Sequence, residues 1–399
     1  MSDTTANPRQ ISASAPAERL LPLWDALVPV LSGPWLTRVM IALTGAILII
    51  VAVMAVLRPT MNWDALPYLA LAQEAPRDDA KALHRKAFDT VKGLAGPSEF
   101  AALTGENDYR IRQFEDPEAF NSMLPMYRVK AGYIAALKGL QPWLTAHQAA
   151  QAINLAALVV LAFVCLWWLR QGGTLWATPL ITWVFLALQG REMIGGVVPD
   201  LAAAALTVAA LAAFTVRKTV ITVVTLVLAM TVRPDTILLA IAMMLASLLF
   251  AERRAQALIG LVVCVAAYLV LTRTMGHIGW WPHFWFSNIQ PQETMAGFDP
   301  EFSLLAYAKG VTRGGITALA YFQWPLILAL ALSSLLVLVK LGARVPTQEA
   351  MTLTAIILTL GAKFVLFPLP DDRIYMPLIL AFVLVLIGLS KQIVPKPLD

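Results

Sequence analysis

The sequence predicts an all-α fold, a polytopic bundle of about ten transmembrane helices with a helical loop after the first. Three observations lead there. Of 399 residues, 59% are hydrophobic and 14% charged, against about 45–50% and about 25% in soluble domains. About ten apolar runs approach the roughly 20 residues that cross ~30 Å of hydrocarbon. The polar breaks between these runs alternate in character. One set is basic: Arg217-Lys218, Arg253-Arg254, Lys340 with Arg344, and Lys391 with Lys396. The other contains acids: Asp64, Arg191-Glu192, Asp200, Arg233-Pro234-Asp235 and Asp371-Asp372-Arg373. By the positive-inside rule the first set faces the cytoplasm, which gathers the second on the opposite face.

The elements follow in chain order. Residues 1–37, rich in Ser, Ala and Pro, are expected to form a mobile cytoplasmic tail. The small-residue stretch Ser12–Ala17 precedes the first apolar run, so the span at 38–57 reads as an uncleaved anchor. Residues 58–148 form an outward subdomain. Within it Ala80, Leu83, Ala87, Phe88, Val91 and Leu94 recur at helical spacing, and Gly93, Gly96 and Pro97 end the pattern. This amphipathic helix is expected on the bilayer surface or under the subdomain. A second helical stretch starts at Pro117, breaks at Pro125 and runs through Tyr133 to Leu140.

Spans follow at 149–169, 174–190, 197–215, 219–232, 235–250 and 255–275. Only Arg233-Pro234-Asp235 separates the run at 219–232 from that at 235–250. Two short spans keep Arg217-Lys218 and Arg253-Arg254 on one face, whereas a single kinked helix would part them, so two spans are preferred. A second outward loop, 272–313, carries Trp280-Trp281-Pro282-His283-Phe284-Trp285-Phe286. Spans at 316–340, 350–367 and 373–390 and a cytoplasmic tail at 391–399 complete a chain with both termini inside. Cys165 and Cys264 lie in apolar runs and read as small hydrophobes, with no disulfide framework.

Ionisable residues at helix mouths are functional candidates. Asp64, in Asn62-Trp63-Asp64-Ala65-Leu66-Pro67-Tyr68, suits a general base that deprotonates a hydroxyl for attack on an anomeric carbon; the plainer reading is a helix N-cap. Asp200 and Asp235 each follow a proline and read first as helix caps. Arg233 and Arg373 offer planar donor forks suited to phosphate, and Arg373 at a membrane mouth calls for an anion or a water path. Asp371 and Asp372 can orient that guanidinium or hold a sugar hydroxyl or a metal; the simpler reading is a cap on the next helix. Arg191-Glu192 reads as a local ion pair, and the tryptophans as an interfacial belt or a sugar platform. His277 and His283 are too isolated to propose zinc. Lys363, near an outward helix end, can snorkel. There is no Gly-x4-Gly-Lys-Ser/Thr loop and no Asp-x-Asp. The net charge of +5 sits mainly in the cytoplasmic turns and does not indicate nucleic acid.

Taken together, these segments resemble the integral-membrane glycosyltransferases of the GT-C superfamily. Asn62-Trp63-Asp64-Ala65-Leu66-Pro67-Tyr68 resembles their acidic motif after span one. Pro125-Met126-Tyr127-Arg128-Val129 resembles the Tyr-Arg stretch before span two. Val198-Pro199-Asp200-Leu201 and Val232-Arg233-Pro234-Asp235 resemble outward Pro-Asp and Arg-x-Asp helix openings. Pro370-Asp371-Asp372-Arg373-Ile374-Tyr375-Met376-Pro377-Leu378 resembles the late Asp-Arg-Tyr-x-x-Pro segment. The likeness runs from about residue 38 to 390; the first loop lacks the paired Asp-Glu of many members, Ile374 interrupts Arg-Tyr, and no C-terminal soluble domain is expected.

The resemblance implies inverting transfer of a hexose or pentose from a polyprenyl-phosphate donor to a glycan, lipid or protein acceptor. It implies a place in a bacterial-type plasma membrane, with the site outside the cytoplasm. Asp64 would be the base, with Arg373, Arg233 and Arg128 on the donor phosphate. Glu192, Asp200, Asp235, Asp371, Asp372 and Trp281 would contact sugar or acceptor. The helix near Leu83 and Phe88 would guide the lipid tail. A divalent metal fits such chemistry, but the scattered acids assign none. Two alternatives stand beside this reading. A transporter or flippase of a lipid-linked sugar would need polar groups along a path to both faces, and a non-catalytic assembly partner would tolerate loss of Asp64.

Overall fold

The structure, a computed structural model, describes residues 33–393. Most of the expected N-terminal tail, and the end of the C-terminal tail with Lys396, lie outside the described residues. Every regular element among the described residues is helical. The first, α1 (Pro34–Leu57), leads into seven short helices of the first loop: α2 (Ala65–Gln73), α3 (Ala80–Leu94), α4 (Pro97–Gly105), α5 (Asp108–Glu115), α6 (Pro117–Met123), α7 (Pro125–Arg128) and α8 (Ala131–Leu140). The bundle continues with α9 (Ala146–Gly172), α10 (Thr178–Ala187), α11 (Gly190–Gly195), α12 (Asp200–Thr215), α13 (Thr219–Val232), α14 (Ile237–Leu249) and α15 (Arg254–Thr274). It closes with α16 (Trp280–Asn288), α17 (Leu304–Tyr321), α18 (Trp324–Lys340), α19 (Thr347–Leu366) and α20 (Asp372–Ser390).

Local chemistry sets many of these boundaries. Asp79, Asn107, Asp116 and Ser303 each accept a first-turn backbone N–H, and Thr145 with Gln148 forms a capping box at the start of α9. Prolines occupy the first turn of α1, α4, α6 and α7, where no N–H is needed. The break at Pro125 falls where the sequence places it.

Five helices, α1, α9, α15, α19 and α20, are long and apolar enough to cross a membrane. Four further apolar segments, Leu175–Ala187, Asp200–Thr215, Thr219–Val232 and Pro234–Leu249, are shorter than that. The expected span at 316–340 is not one rod. It is α17 and α18, bent by 80° at Phe322-Gln323. The bend has a cause: the Asp372 carboxylate accepts from the Gln323 and Trp324 N–H groups (2.9 and 2.7 Å) and caps α18 from outside the helix.

The pair α13–α14 is a hairpin, as the two-segment reading expects. Arg253 Nη1 donates to the Arg217 carbonyl (2.6 Å) and Thr219 to Gln256 (3.0 Å), so the start of α13 meets the turn after α14. The chain therefore reverses at Arg233-Pro234-Asp235. At 1.5 Å per residue each arm is about 20 Å long, two thirds of a hydrocarbon core of ~30 Å.

Two cores result. The bundle core packs α9, α12, α18 and α19 around α20, which is buried along nearly its whole length, and α14 packs against α19. A second core lies in the first loop. There Leu83, Ala87, Phe88 and Val91 of α3 pack against Leu66 and Leu69 of α2 and Phe120 of α6. The apolar face of α3, apart from the exposed Leu94, is thus consumed inside the subdomain. This agrees with the second of the two expected placements and corrects the bilayer-surface one and the idea that Leu83 and Phe88 guide a lipid tail. The loops 58–148 and 272–313 also meet. Gln113 donates to the Glu293 carbonyl (2.7 Å), and the Met295 N–H donates to Ser122 Oγ (2.8 Å).

Candidate active site

At one end of the bundle, six charged side chains from five segments form an unbroken alternating row. Arg373, on the first turn of α20, donates from Nη2 to Asp64 Oδ2 at 2.9 Å and from Nη1 to Asp200 Oδ2 at 3.5 Å. Arg233, at the hairpin tip, pairs with the other oxygen of Asp200 and reaches Asp235 Oδ1 with Nε at 3.2 Å. Lys363, near the end of α19, holds Asp235 Oδ2 at 2.8 Å and the Ile374 carbonyl at 3.3 Å. Asp200 is 5% exposed, so its two guanidinium partners are what make its burial tolerable.

The capping readings give way here. Asp64 sits at the N-cap position of α2 and Asp200 opens α12, yet neither side chain caps its helix. Both turn to the arginines, because a guanidinium fork in a water-poor recess binds a carboxylate far more strongly than a lone backbone N–H does. Asp235 likewise serves Arg233 and Lys363. The Lys363 ammonium, expected to snorkel, is instead enclosed and ion-paired.

The first loop supplies a wall of aromatic groups. The Tyr127 hydroxyl donates to Asp64 Oδ1 at 3.2 Å, which leaves that carboxylate held from both oxygens. The Tyr68 ring meets Tyr127 and Tyr133 edge-on, each at 5.2 Å. Lys130 lies 4.7 Å from the centroid of Tyr127 and 5.8 Å from that of Tyr68, and its ammonium donates to the Met126 carbonyl. Burial, with Arg233 nearby, pushes the Lys130 ammonium down to about 8. Gly132 lets α8 approach the end of α13, because a Cβ there would collide with Thr231. That contact brings Lys130 toward the hairpin tip.

Other expected site residues lie apart. Arg128 points away and pairs with Glu74 at 2.5 Å, tying α7 to the end of α2. Its neighbours Tyr127 and Lys130 face the row instead. Glu192 is exposed, with no ion pair to Arg191 among the described residues. Asp372 spends its carboxylate on the start of α18. Trp281 is 8% exposed, stacked on Phe284 at 5.3 Å, edge-on to Trp285 and Phe302, and bonded to the Glu301 carbonyl, so no free face remains for a sugar. Asp371 is different. It is partly buried, makes no side-chain hydrogen bond among the described residues, and burial raises its carboxyl above the usual range despite Arg373.

Sequence reading noted Lys363 only as a snorkelling cation, and it missed Lys130 and Gln189 as site residues. Gln189 adopts a left-handed backbone (φ 62°), and its side-chain oxygen accepts from the Arg373 N–H at 3.2 Å. Such a conformation is costly for a residue with a Cβ, and here it sets the backbone that aims Arg373. His277 and His283, read as isolated, stand 5.9 Å apart between ring centroids. Burial holds the His283 imidazole down at about 3, so it is neutral at ordinary pH.

Chemically, the row offers fixed cations for an anion and oriented carboxylates for a hydroxyl. Among the described residues no group of three or more His, Cys, Asp or Glu is placed to hold a metal ion, and Asp64, Asp200 and Asp235 each already face a cation. Comparison of the chain with protein-family models, curated proteins and solved structures finds no match.

Proposed function

We propose that this chain is a membrane glycosyltransferase that moves a sugar from a polyprenyl-phosphate donor to an acceptor hydroxyl. In this reading the bundle crosses the membrane ten times, with its basic turns in the cytoplasm and the charged row on the outer face. The observation that carries the proposal is the Asp64–Arg373 contact. It joins the carboxylate that follows the first apolar helix to a guanidinium on the last, and so builds one site from both ends of the chain.

Asp64 takes the acceptor's hydroxyl proton, and the acceptor oxygen forms a bond to the anomeric carbon. The bond from that carbon to the phosphate oxygen breaks on the opposite face, which inverts the centre. The leaving polyprenyl phosphate carries the electron pair away as negative charge. Arg373, Arg233 and Lys130 meet that charge in a recess with little water, where fixed cations act strongly. Tyr127 keeps Asp64 oriented between turnovers.

One-sided access favours an enzyme over a transporter. Between the row and the basic turns the core contains Val208, Leu211, Ile379, Phe382 and Leu386, all buried and apolar. The test is transfer by the purified protein in lipid, offered a panel of polyprenyl-phosphate sugars and acceptors, with product mass as readout. Transfer by the wild type, lost in Asp64→Asn and kept in Asp371→Asn, supports the assignment. Transfer lost only in Asp371→Asn moves the base to that residue. Translocation of labelled lipid without a new glycosidic bond replaces the enzyme with a flippase.

A further inference from the structure

We infer that α17 is a membrane-surface helix whose Lys309 and Arg313 bind the phosphate headgroups of anionic lipids beside the charged row. The inference rests on the membrane reading of the bundle and is independent of glycosyl transfer.

Three features of the structure carry it. First, α17 meets the apolar helix α18 at 80°, so if α18 crosses the bilayer, α17 runs nearly in its plane. Asp372 pins this bend through two backbone N–H groups, which makes it a built corner. Second, one face of α17 is already used. Gly310 lies against Phe284 and Gly314 against Pro368, so closely that a Cβ at either would collide, and the Tyr307 hydroxyl donates to the Val365 carbonyl at 2.6 Å. This face braces the segment that leads into Asp371 and Arg373.

Third, the opposite face is apolar and open. Leu305, Ile316 and Leu319 are 66%, 63% and 77% exposed. Lys309 and Arg313 stand one turn apart along the edge of that strip, both exposed and with no carboxylate partner among the described residues; Arg313 Nη1 makes only a long contact to the Ile289 carbonyl (3.4 Å). An apolar face edged by unpaired cations, held in the membrane plane, complements an acyl layer under anionic phosphates. Each basic side chain near such a surface contributes about 1 kcal/mol, a factor of about five.

The test reconstitutes the full chain in bilayers of phosphatidylcholine with phosphatidylglycerol, including a photo-crosslinkable phosphatidylglycerol, and maps adducts by mass. Adducts are expected on α17 and should fall about fivefold for each charge removed in Lys309→Gln and Arg313→Gln. A spin label at Leu319→Cys reports depth independently, expected about 5–10 Å below the phosphates. Three outcomes overturn the inference: α17 adducts unchanged in the double variant, a label at position 319 exposed to water, or crosslinks from α17 to α17 of a second copy in place of lipid.

Discussion

The two ends of the bundle carry the same kinds of residue in opposite surroundings. At the row, the Arg373 and Arg233 side chains are 22% and 20% exposed and each is fixed by two carboxylates. At the far end, Arg217 is 47% exposed and stands 3.9 Å from Glu252, while Lys391 remains at the surface beside Gly173. Water solvates the charges at the basic end, whereas those at the row solvate one another. Solvated charges in turns set topology and ask little of the fold. Enclosed ion pairs roughly break even against desolvation and are weak evidence for stability; under the proposed function the row serves an anionic ligand.

That contrast can be broken by substitution. Asp200→Asn leaves two enclosed guanidinium groups short of their shared partner and should cost about 3–5 kcal/mol, read as thermal unfolding in detergent; a loss under about 1 kcal/mol would put the row on a par with the basic end. Arg373→Lys keeps the charge but loses the two-armed bridge between Asp64 and Asp200. It should raise the donor KM on the order of tenfold with the fold intact, and an unchanged KM removes Arg373 from the phosphate site.

Lys130 sharpens the comparison through pH. Its ammonium titrates near 8, among Arg233, Asp64, Asp200 and Asp235, and is charged below that value. Donor affinity should therefore fall as pH rises through about 8. Lys130→Arg, which stays charged throughout, should abolish the fall; a profile that survives this substitution assigns the titration elsewhere. The smallest effect belongs to the far end: Arg217→Gln with Arg253→Gln should shift stability by under about 1 kcal/mol and leave transfer unchanged.

Much of this site was legible in the sequence because helix ends are local. Asp64, Asp200, Arg233-Pro234-Asp235 and Asp371-Asp372-Arg373 all break apolar runs, and the alternation of those breaks groups them on one side. What each side chain does there was not legible. Arg373 and Asp64 are 309 residues apart in the chain, and no local pattern distinguishes an aspartate that caps its own helix from one that caps a distant bend, as Asp372 does. Lys363 is a single charge in an apolar helix, indistinguishable by periodicity from a snorkelling one. In Tyr127-Arg128-Val129-Lys130 the arginine drew notice, yet the turn of α7 aims Tyr127 and Lys130 at the row and sends Arg128 to Glu74. The 80° bend was missed although Pro325 marks a helix start there: the apolar run continues through Phe322-Gln323, and hydropathy alone reads it as one span.

The most direct measurement pairs turnover with donor binding in one preparation, comparing the wild type with Asp64→Asn. With Asp64 as base, donor affinity should stay within about threefold, since the phosphate is held by the cations, while transfer falls by about 10²–10⁴. Transfer retained by the variant, or binding and transfer lost together, would contradict a catalytic Asp64.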